Sequence, residues 1–459
     1  MAADGEALDR ARHHAQLWLD GLETRPVYAP ASLEELRRSL GRPTPEAGTP
    51  AARVVDELAR DAERGLHGSQ GGRFFGWVIG GGLPAAIGAD WLTSVWDQNA
   101  CLHASGPAAA VVEEIAGAWL KDLFGLPDEA SFAFVTGCQM AHVTALAAAR
   151  HAVLRDRGWD VERQGLSGAP AIRILSNPDR HASVDIALRL LGIGTDALEP
   201  LAMDEDRQVT PEGLSAKLAE RDAPTIVILQ AGELNLAAFD PFAELCPLAR
   251  AAGAWVHVDG AFGLWARVSP AHRHLVEGIA LADSWTTDGH KYLNVPYDSG
   301  LAFVRDSAAH RAAMAMTTSY LPASGGIARD PFDWNPELSR RARGFAVYAA
   351  LRELGRQGLA ELVQRTCRHA RALAEGIGAL PGAELVQVSD LNQALVRFGD
   401  DTRTDAVIAA INAGGEALFG GVTWRGRRCM RISVSNWRTS EADIARTVEA
   451  VRTALAATA

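Results

Sequence analysis

The residue with the sharpest chemical promise in this sequence is Lys291, in the run ADSWTTDGHKYLNVPYDSG. A lysine just past an apolar, strand-like run, with His290 before it and aromatic residues nearby, is an unusual choice for a solvated surface. Burial there disfavours the ammonium form and lowers its pKa, which suits an amine that must condense with a carbonyl. Taken alone, Lys291 reads equally well as an exposed lysine on a loop. A second candidate, Asp259, follows the strand-like AWVHV in the run HVDGAFG. An acid at the carboxyl end of a parallel strand faces the crevice where α/β proteins bind ligands. It could keep a ring nitrogen protonated there and so make a heteroaromatic ring an electron sink. In isolation it is as readily a helix cap or a turn former. Gly260, Ala261 and Gly263 after it leave room for a flat ring.

Three further positions gain weight only in company. Thr136-Gly137-Cys138-Gln139 follows the run SFAFV and opens a helical pattern. A strand, a small-residue turn and a helix start make an anion site from free N–H groups and the helix dipole, although such junctions are common in α/β proteins. His181, in NPDRHASVDIALRLLG, stands at a helix start where an imidazole could stack on an aromatic group; a lone histidine near a turn is more often structural. Tyr320, in MTTSYLPASGGIARDPFDW, lies in a polar, glycine-rich stretch with the makings of a lid, and its phenol could donate a proton. A packing role is the plainer alternative. The order carries more than the parts: phosphate-type turn, histidine, strand-end aspartate, then His-Lys 32 residues after that aspartate.

The elements that must position these residues follow from hydrophobic patterning. Between about 130 and 310, short apolar runs alternate with longer helical stretches. The runs are SFAFV (131–135), AIRIL (171–175), TIVIL (225–229), AWVHV (254–258), ALADSW (280–285) and GLAFV (300–304). Runs without clean alternation are expected for strands buried on both faces, and strands alternating with helices imply parallel βαβ units. Helices are expected at 84–95, 107–123 and from Cys138 to about 150. The first sixty or so residues are amphipathic and interrupted by Pro26, Pro30, Pro43, Pro45 and Pro50; such a segment seldom folds alone. Towards the end, helices at 338–356, 358–378, 403–413 and 440–456 mix with strands at 384–388, 393–398 and 429–434. Thr439-Ser440-Glu441 before the last helix resembles an N-terminal cap. The expected division is a helical N-terminal segment (1–70), a large α/β domain (71–334) and a small C-terminal α+β domain (335–459).

Composition sets the outer limits. The 459 residues are 48% hydrophobic and 22% charged, ordinary for a globular enzyme. A net charge of −11 argues against nucleic-acid and anionic-membrane partners. Five scattered cysteines without C-x-x-C spacing fit free thiols in a reducing compartment rather than a structural zinc site. With no apolar signal region and no run of ~18 apolar residues, a cytoplasmic protein is expected.

The combination resembles the group II pyridoxal-dependent amino-acid decarboxylases, the family that includes aromatic-amino-acid, histidine, glutamate and diaminobutyrate decarboxylases. The similarity runs from roughly residue 70 to 440 and is strongest in ADSWTTDGHKYLNVPYDSG, HVDGAFG, HASVDIALRLLG and ELSRRARGFAVYAALRELG. It implies the type I pyridoxal fold, a large domain with a mostly parallel seven-stranded sheet plus a small C-terminal domain. It also implies a homodimer whose active site lies at the subunit interface. By that resemblance, pyridoxal 5′-phosphate is held as an imine on Lys291, with His290 near the phosphate and Asp259 paired with the pyridinium. Ala261 lies beneath the ring and His181 stacks on it. Thr136, Gly137 and Cys138 fall on the phosphate turn, where the family often has Ser or Gly and where backbone N–H groups can serve instead. Tyr320 matches the catalytic-loop tyrosine that protonates the carbanion after carbon dioxide leaves. In the same family, loss of that phenol accompanies oxidative, aldehyde-forming chemistry.

The expected reaction is decarboxylation of an L-amino acid to its amine. In the substrate pocket, the resemblance places Trp77 and Val78 of FFGWVIGGGLP and, all three from the partner subunit, Gln98, Asn99 and Cys101 of WDQNACLHASGP. The pocket is glycine-rich, and no substrate is named by it. Carbon–carbon lyase, aldolase or aldehyde-synthase chemistry would use the same Lys291, Asp259 and His181. A cofactor-binding protein without activity is disfavoured because those residues occur together with Tyr320. A nucleotide-binding dehydrogenase lacks its G-x-G-x-x-G after a strand.

Overall fold

A computed structural model of the chain describes residues 2–316 and 328–458. Tyr320 and most of the glycine-rich stretch around it lie outside the described residues. Two compact units emerge. One comprises Gly82–Arg368 with Ser389–Gln393, and the other Met1–Gly81, His369–Val388 and Ala394–Ala459.

The first unit is built on a seven-stranded sheet. Its strands are β1 (Ser131–Val135), β2 (Arg173–Ser176), β3 (Leu198–Pro200), β4 (Thr225–Gln230), β5 (Trp255–Asp259), β6 (Ser284–Asp288) and β7 (Gly300–Val304). They lie in the order β1-β7-β6-β5-β4-β2-β3. Pairing is parallel from β3 to β6, and only β7 runs the other way, antiparallel to both β6 and β1. The sheet is therefore mostly parallel, as the resemblance implied. Every residue of β1, β2, β4, β5, β6 and β7 is buried, which is why their sequences read as continuous runs rather than alternating ones. The helix Cys138–Arg155 packs on this sheet through an apolar cluster that includes Leu146, Ile174, Ile226 and Ile228.

One glycine is demanded by close approach. A Cβ on Gly300 would fall 2.4 Å from Gly137 Cα, so the first residue of β7 lets the turn after β1 lie directly against it.

The second unit carries a smaller sheet of β8 (Ala383–Val388), β9 (Gln393–Phe398), β10 (Gly420–Trp424) and β11 (Arg427–Ser433), in the order β10-β11-β9-β8. Phe75, Phe398, Phe419, Met430 and Ile432 lead its core. The N-terminal stretch forms helices Ala2–Asp20, Leu33–Leu40 and Ala51–Ala62 between the prolines. The last helix, Glu441–Ala457, opens with a capping box in which Ser440 and Asp443 exchange side-chain and backbone hydrogen bonds.

Two boundaries moved. The strand expected at 280–285 lies at β6, 284–288, because Ile279–Leu281 forms a 3₁₀ turn. The polar residues of β6 are tolerated because Thr286 and Thr287 donate their hydroxyls to the carbonyls of Val258 and Ala261. The helices expected at 338–356 and 358–378 form one stretch, Gly344–Gly378, broken at Gly355, whose φ is 60°.

Candidate active site

Strand order brings the candidate residues to one edge. The ends of β1, β6 and β5 and the start of β7 are neighbours in the sheet, so the 136–137 turn, Asp288 and Asp259 line up along it. Lys291 follows three residues after β6. Its Nζ lies 3.0 Å from Asp288 Oδ2, while Asp288 Oδ1 accepts the Cys138 backbone N–H at 2.6 Å. Asp288 thus ties the lysine to the first N–H of the 138–155 helix. Helix geometry leaves the first-turn N–H groups there without intrahelical acceptors, the makings of an anion site. His290 completes the cluster: its Nδ1 accepts the Ser299 N–H at 3.1 Å, so its Nε2 carries the proton and faces Asp288 Oδ1 at 3.5 Å. Burial pushes the His290 pKa down, against a smaller opposing pull from Asp288.

The expectation that burial would lower the pKa of Lys291 is overturned. Burial does pull it down, but the Asp288 carboxylate in contact with the ammonium, aided by Asp259, outweighs burial and raises it. In this arrangement Lys291 is a charged, paired amine.

Asp259, the last residue of β5, is buried and accepts the Ala261 N–H at 3.2 Å on Oδ1. Its Oδ2 lies 3.5 Å from His142 Nε2. Burial works to raise the Asp259 pKa, yet His142, Lys291 and His181 together hold it below the usual carboxylate range. Behind it runs a buried polar chain. His142 Nδ1 meets His257 Nε2 at 2.9 Å, His257 Nδ1 meets Ser284 Oγ at 2.8 Å, and the Trp255 indole donates to that oxygen at 2.9 Å. Cys138 Sγ sits 3.6 Å from His142 Nε2 and 3.9 Å from Asp259 Oδ1, and burial drives its thiol pKa well up.

The other expected residues divide. Ala261 and Gly137 sit within this cluster, the latter as the N-cap of the 138–155 helix and Thr136 just before it. His181 is the N-cap of the helix Ala182–Leu190; its Nδ1 accepts the Ser183 N–H at 3.2 Å, and the residue is exposed. Asn99 and Cys101 make other contacts: Asn99 Oδ1 accepts the N–H groups of Cys101 and Arg340, and Cys101 packs with Leu102 and Phe332. Trp77 and Val78 belong to the other unit, Trp77 exposed with φ 51° and Val78 buried.

Residue-by-residue reading missed His142, His257 and Ser284 as participants, and took in Asp288 only as part of the Asp-Gly-His-Lys run, without a role. One signal was available: His257 and Asp259 are two apart in a strand and so share a face.

The donor set fits a phosphorylated carbonyl cofactor with a basic ring nitrogen. It offers an amine, a buried ionised acid and helix-start N–H groups. Gln230, paired in register with Asp259 and so on the same sheet face, has a buried Nε2 without a partner among the described residues. These features define the class: an α/β protein that gathers a lysine, a buried acid and helix-start N–H groups at the carboxyl edge of its sheet.

Comparison with known proteins narrows that class. Residues 34–399 match the pyridoxal-dependent decarboxylase conserved domain. The chain is 29% identical over 448 residues to the L-2,4-diaminobutyrate decarboxylase of Rhizobium meliloti (strain 1021), covering 93% of this chain and 86% of that protein. It is 29% identical over 371 residues to the aromatic-L-amino-acid decarboxylase of Bacillus atrophaeus, covering 79% and 74%. A crystal structure of Oryza sativa TDC with PLP and tryptamine shares the fold at a TM-score of 0.91 and 22% identity, covering 98% of this chain and 97% of that one. The chain belongs to the pyridoxal-dependent decarboxylase family. It is a carboxy-lyase that decarboxylates an amino acid with pyridoxal 5′-phosphate as cofactor.

Proposed function

We propose that Lys291 anchors the cofactor and that Asp259 keeps its ring nitrogen protonated, in the decarboxylation of an L-amino acid to its amine. When bound, pyridoxal phosphate supplies a carbonyl that engages the substrate amine and a ring that accepts the electron pair left by carbon dioxide. The N–H groups at the start of the 138–155 helix would hold the phosphate, with the Thr136–Gly137 turn and His290 beside them. Ala261 and His181 would hold the ring. Asp288 keeps Lys291 charged and placed; once that pairing is exchanged for cofactor contacts, the Lys291 amine is free to carry protons. Tyr320 is assigned, from its place in the sequence, as the acid that returns a proton to Cα. Trp77, Val78, Asn99 and Cys101 are assigned to substrate selection.

The observation that supports this reading best is the convergence of Lys291, Asp288 and Asp259 on one sheet edge, with Asp259 held ionised in a buried position. The test is to incubate the pyridoxal-loaded protein with a pool of amino acids and identify products by mass spectrometry, with Lys291→Ala as control. An amine equal to one substrate minus carbon dioxide, absent in the control, supports the reading and identifies the substrate. The same amine from Lys291→Ala at the wild-type rate sinks the role given to that lysine.

We further infer that the working form is a homodimer. Trp91, Leu92, Val95 and Trp96 on the helix Pro84–Trp96, with Val111 and Ile115 on Pro107–Phe124, leave large apolar side chains exposed on a single chain. Light scattering at micromolar concentration should give twice the chain mass; a monomer overturns the inference. A cytoplasmic location is part of the same reading, supported by five cysteines of which none forms a disulfide. Among the described residues no helix is long and apolar enough to cross a membrane.

A further inference from the structure

Asp259 ends a chain of buried groups that the reaction itself does not require. Trp255, Ser284, His257 and His142 link across β5, β6 and the 138–155 helix, and all four are buried. The direction of the chain is set at its far end. An indole N–H can only donate, so Ser284 Oγ is an acceptor towards Trp255. Among the described residues the remaining hydrogen-bond neighbour of that hydroxyl is His257 Nδ1, which takes its hydrogen. His257 must then carry its own proton on Nε2 and donate it to His142 Nδ1. His142 in turn is left with a proton on Nε2, which faces Asp259 Oδ2 and Cys138 Sγ. Each imidazole passes the constraint on by tautomer, without needing a charge.

Resting on the proposed pairing of Asp259 with the ring nitrogen, we propose that Trp255, Ser284, His257 and His142 form a one-way donor chain. It keeps the shared proton on the cofactor nitrogen rather than on the carboxylate. A buried acid–base pair has two arrangements, charge-separated or neutral, and a dry site favours the neutral one. In the neutral arrangement Asp259 holds the proton and the ring loses its power as an electron sink. A hydrogen bond donated to the carboxylate favours its ionised form and tips the balance back. Burial drives the His257 pKa far below its usual value, so His257 acts as a neutral link. His257 and His142 are thus positioning residues: neither is assigned a contact with substrate.

The experiment loads the holoenzyme with pyridoxal phosphate carrying ¹⁵N in the ring and reads the protonation of that nitrogen by NMR. His257→Leu breaks the chain one residue away from Asp259 and lets His142 turn to the other tautomer. The expected result is a ring signal shifted towards the unprotonated form, with kcat lower by about tenfold to a hundredfold and KM within about twofold. His257→Gln, which keeps a donor near the Nε2 position, should restore both readouts. A ring nitrogen that stays protonated in His257→Leu overturns the proposal, as does a His257→Gln variant that fails equally. Asp259→Asn separates the two layers. If that variant keeps a protonated ring, the pairing itself is wrong; if it loses the proton while His257→Leu does not, only the donor chain is wrong. Should the leucine variant fail to fold, the wild-type enzyme decides. ¹⁵N-labelled histidine must show Nε2–H tautomers at both His142 and His257, and an Nδ1–H tautomer at either is incompatible with the chain.

Discussion

The interiors of the two units solve different problems. Behind the edge of the large sheet, β5, β6 and the 138–155 helix bury Asp259, His142, His257, Ser284, Thr286 and Asp288 among their apolar residues. The small unit packs Phe75, Phe398, Phe419, Met430, Ile432 and Val434 into an apolar cluster, with Phe75 and Phe419 stacked at 5.3 Å. Apolar packing is non-directional and repays burial roughly in proportion to area. A hydrogen-bonded interior repays little net energy but fixes the direction of each donor and acceptor. The large unit spends part of its core on orienting an acid and an amine, whereas the cluster in the small unit serves stability.

If that contrast is right, substitutions in the two interiors should separate activity from stability. The largest effect belongs to Lys291→Ala, expected to lower kcat by at least about 10⁴-fold while the melting transition stays cooperative. Spectrophotometric loss of the cofactor's visible band on dialysis would accompany it. Asp259→Asn should lower kcat on the order of 10³-fold with the fold retained, since a neutral amide cannot hold the ring nitrogen protonated. Phe398→Ala tests the other side: about 3–5 kcal/mol of stability lost in urea denaturation, with kcat of the folded enzyme unchanged within about twofold. A large drop in kcat there would break the comparison.

A smaller effect tests the polar interior by pH. Burial lowers the His310 pKa to about 3, where the ring lies between Ser131 Oγ and the Trp334 carbonyl. The folded state therefore binds fewer protons than the unfolded one between that value and the ordinary histidine pKa. The stabilising contribution is present above the unfolded pKa and is lost as pH falls towards the folded one. Between pH 7 and pH 5 the loss should be about 2 kcal/mol, and His310→Gln should flatten that slope in denaturant titrations. Smallest of all, Ser440→Ala removes the capping box of the last helix and should cost about 1 kcal/mol without altering turnover.

Some of this was readable before any coordinates. Long apolar runs located β1, β5 and β7 within a residue, because a strand buried on both faces must be apolar throughout. Asp259 stood out because it follows such a run, where a parallel sheet opens its crevice, and Lys291 because of the Asp-Gly-His-Lys sequence that holds it. β6 was misplaced for the converse reason: SWTTD is polar, and it is a buried strand because β5 and β7 pair with its backbone while hydroxyl bonds to neighbouring carbonyls satisfy its side chains. β3 and β10 escaped because one is three residues ending in proline and the other begins with two glycines.

By itself the sequence determined the α/β class and the order of the chemistry-bearing residues, since these depend on local pattern and motif spacing, and the family resemblance implied the cofactor. Tertiary structure alone decided which groups share an environment. His142 and His257 are 115 positions apart, and nothing local predicts that their rings touch. The sign of the Lys291 shift was decided the same way. Burial argues downward and a carboxylate 3.0 Å away argues upward, and the Coulomb interaction prevails because distance in space, not along the chain, sets its strength.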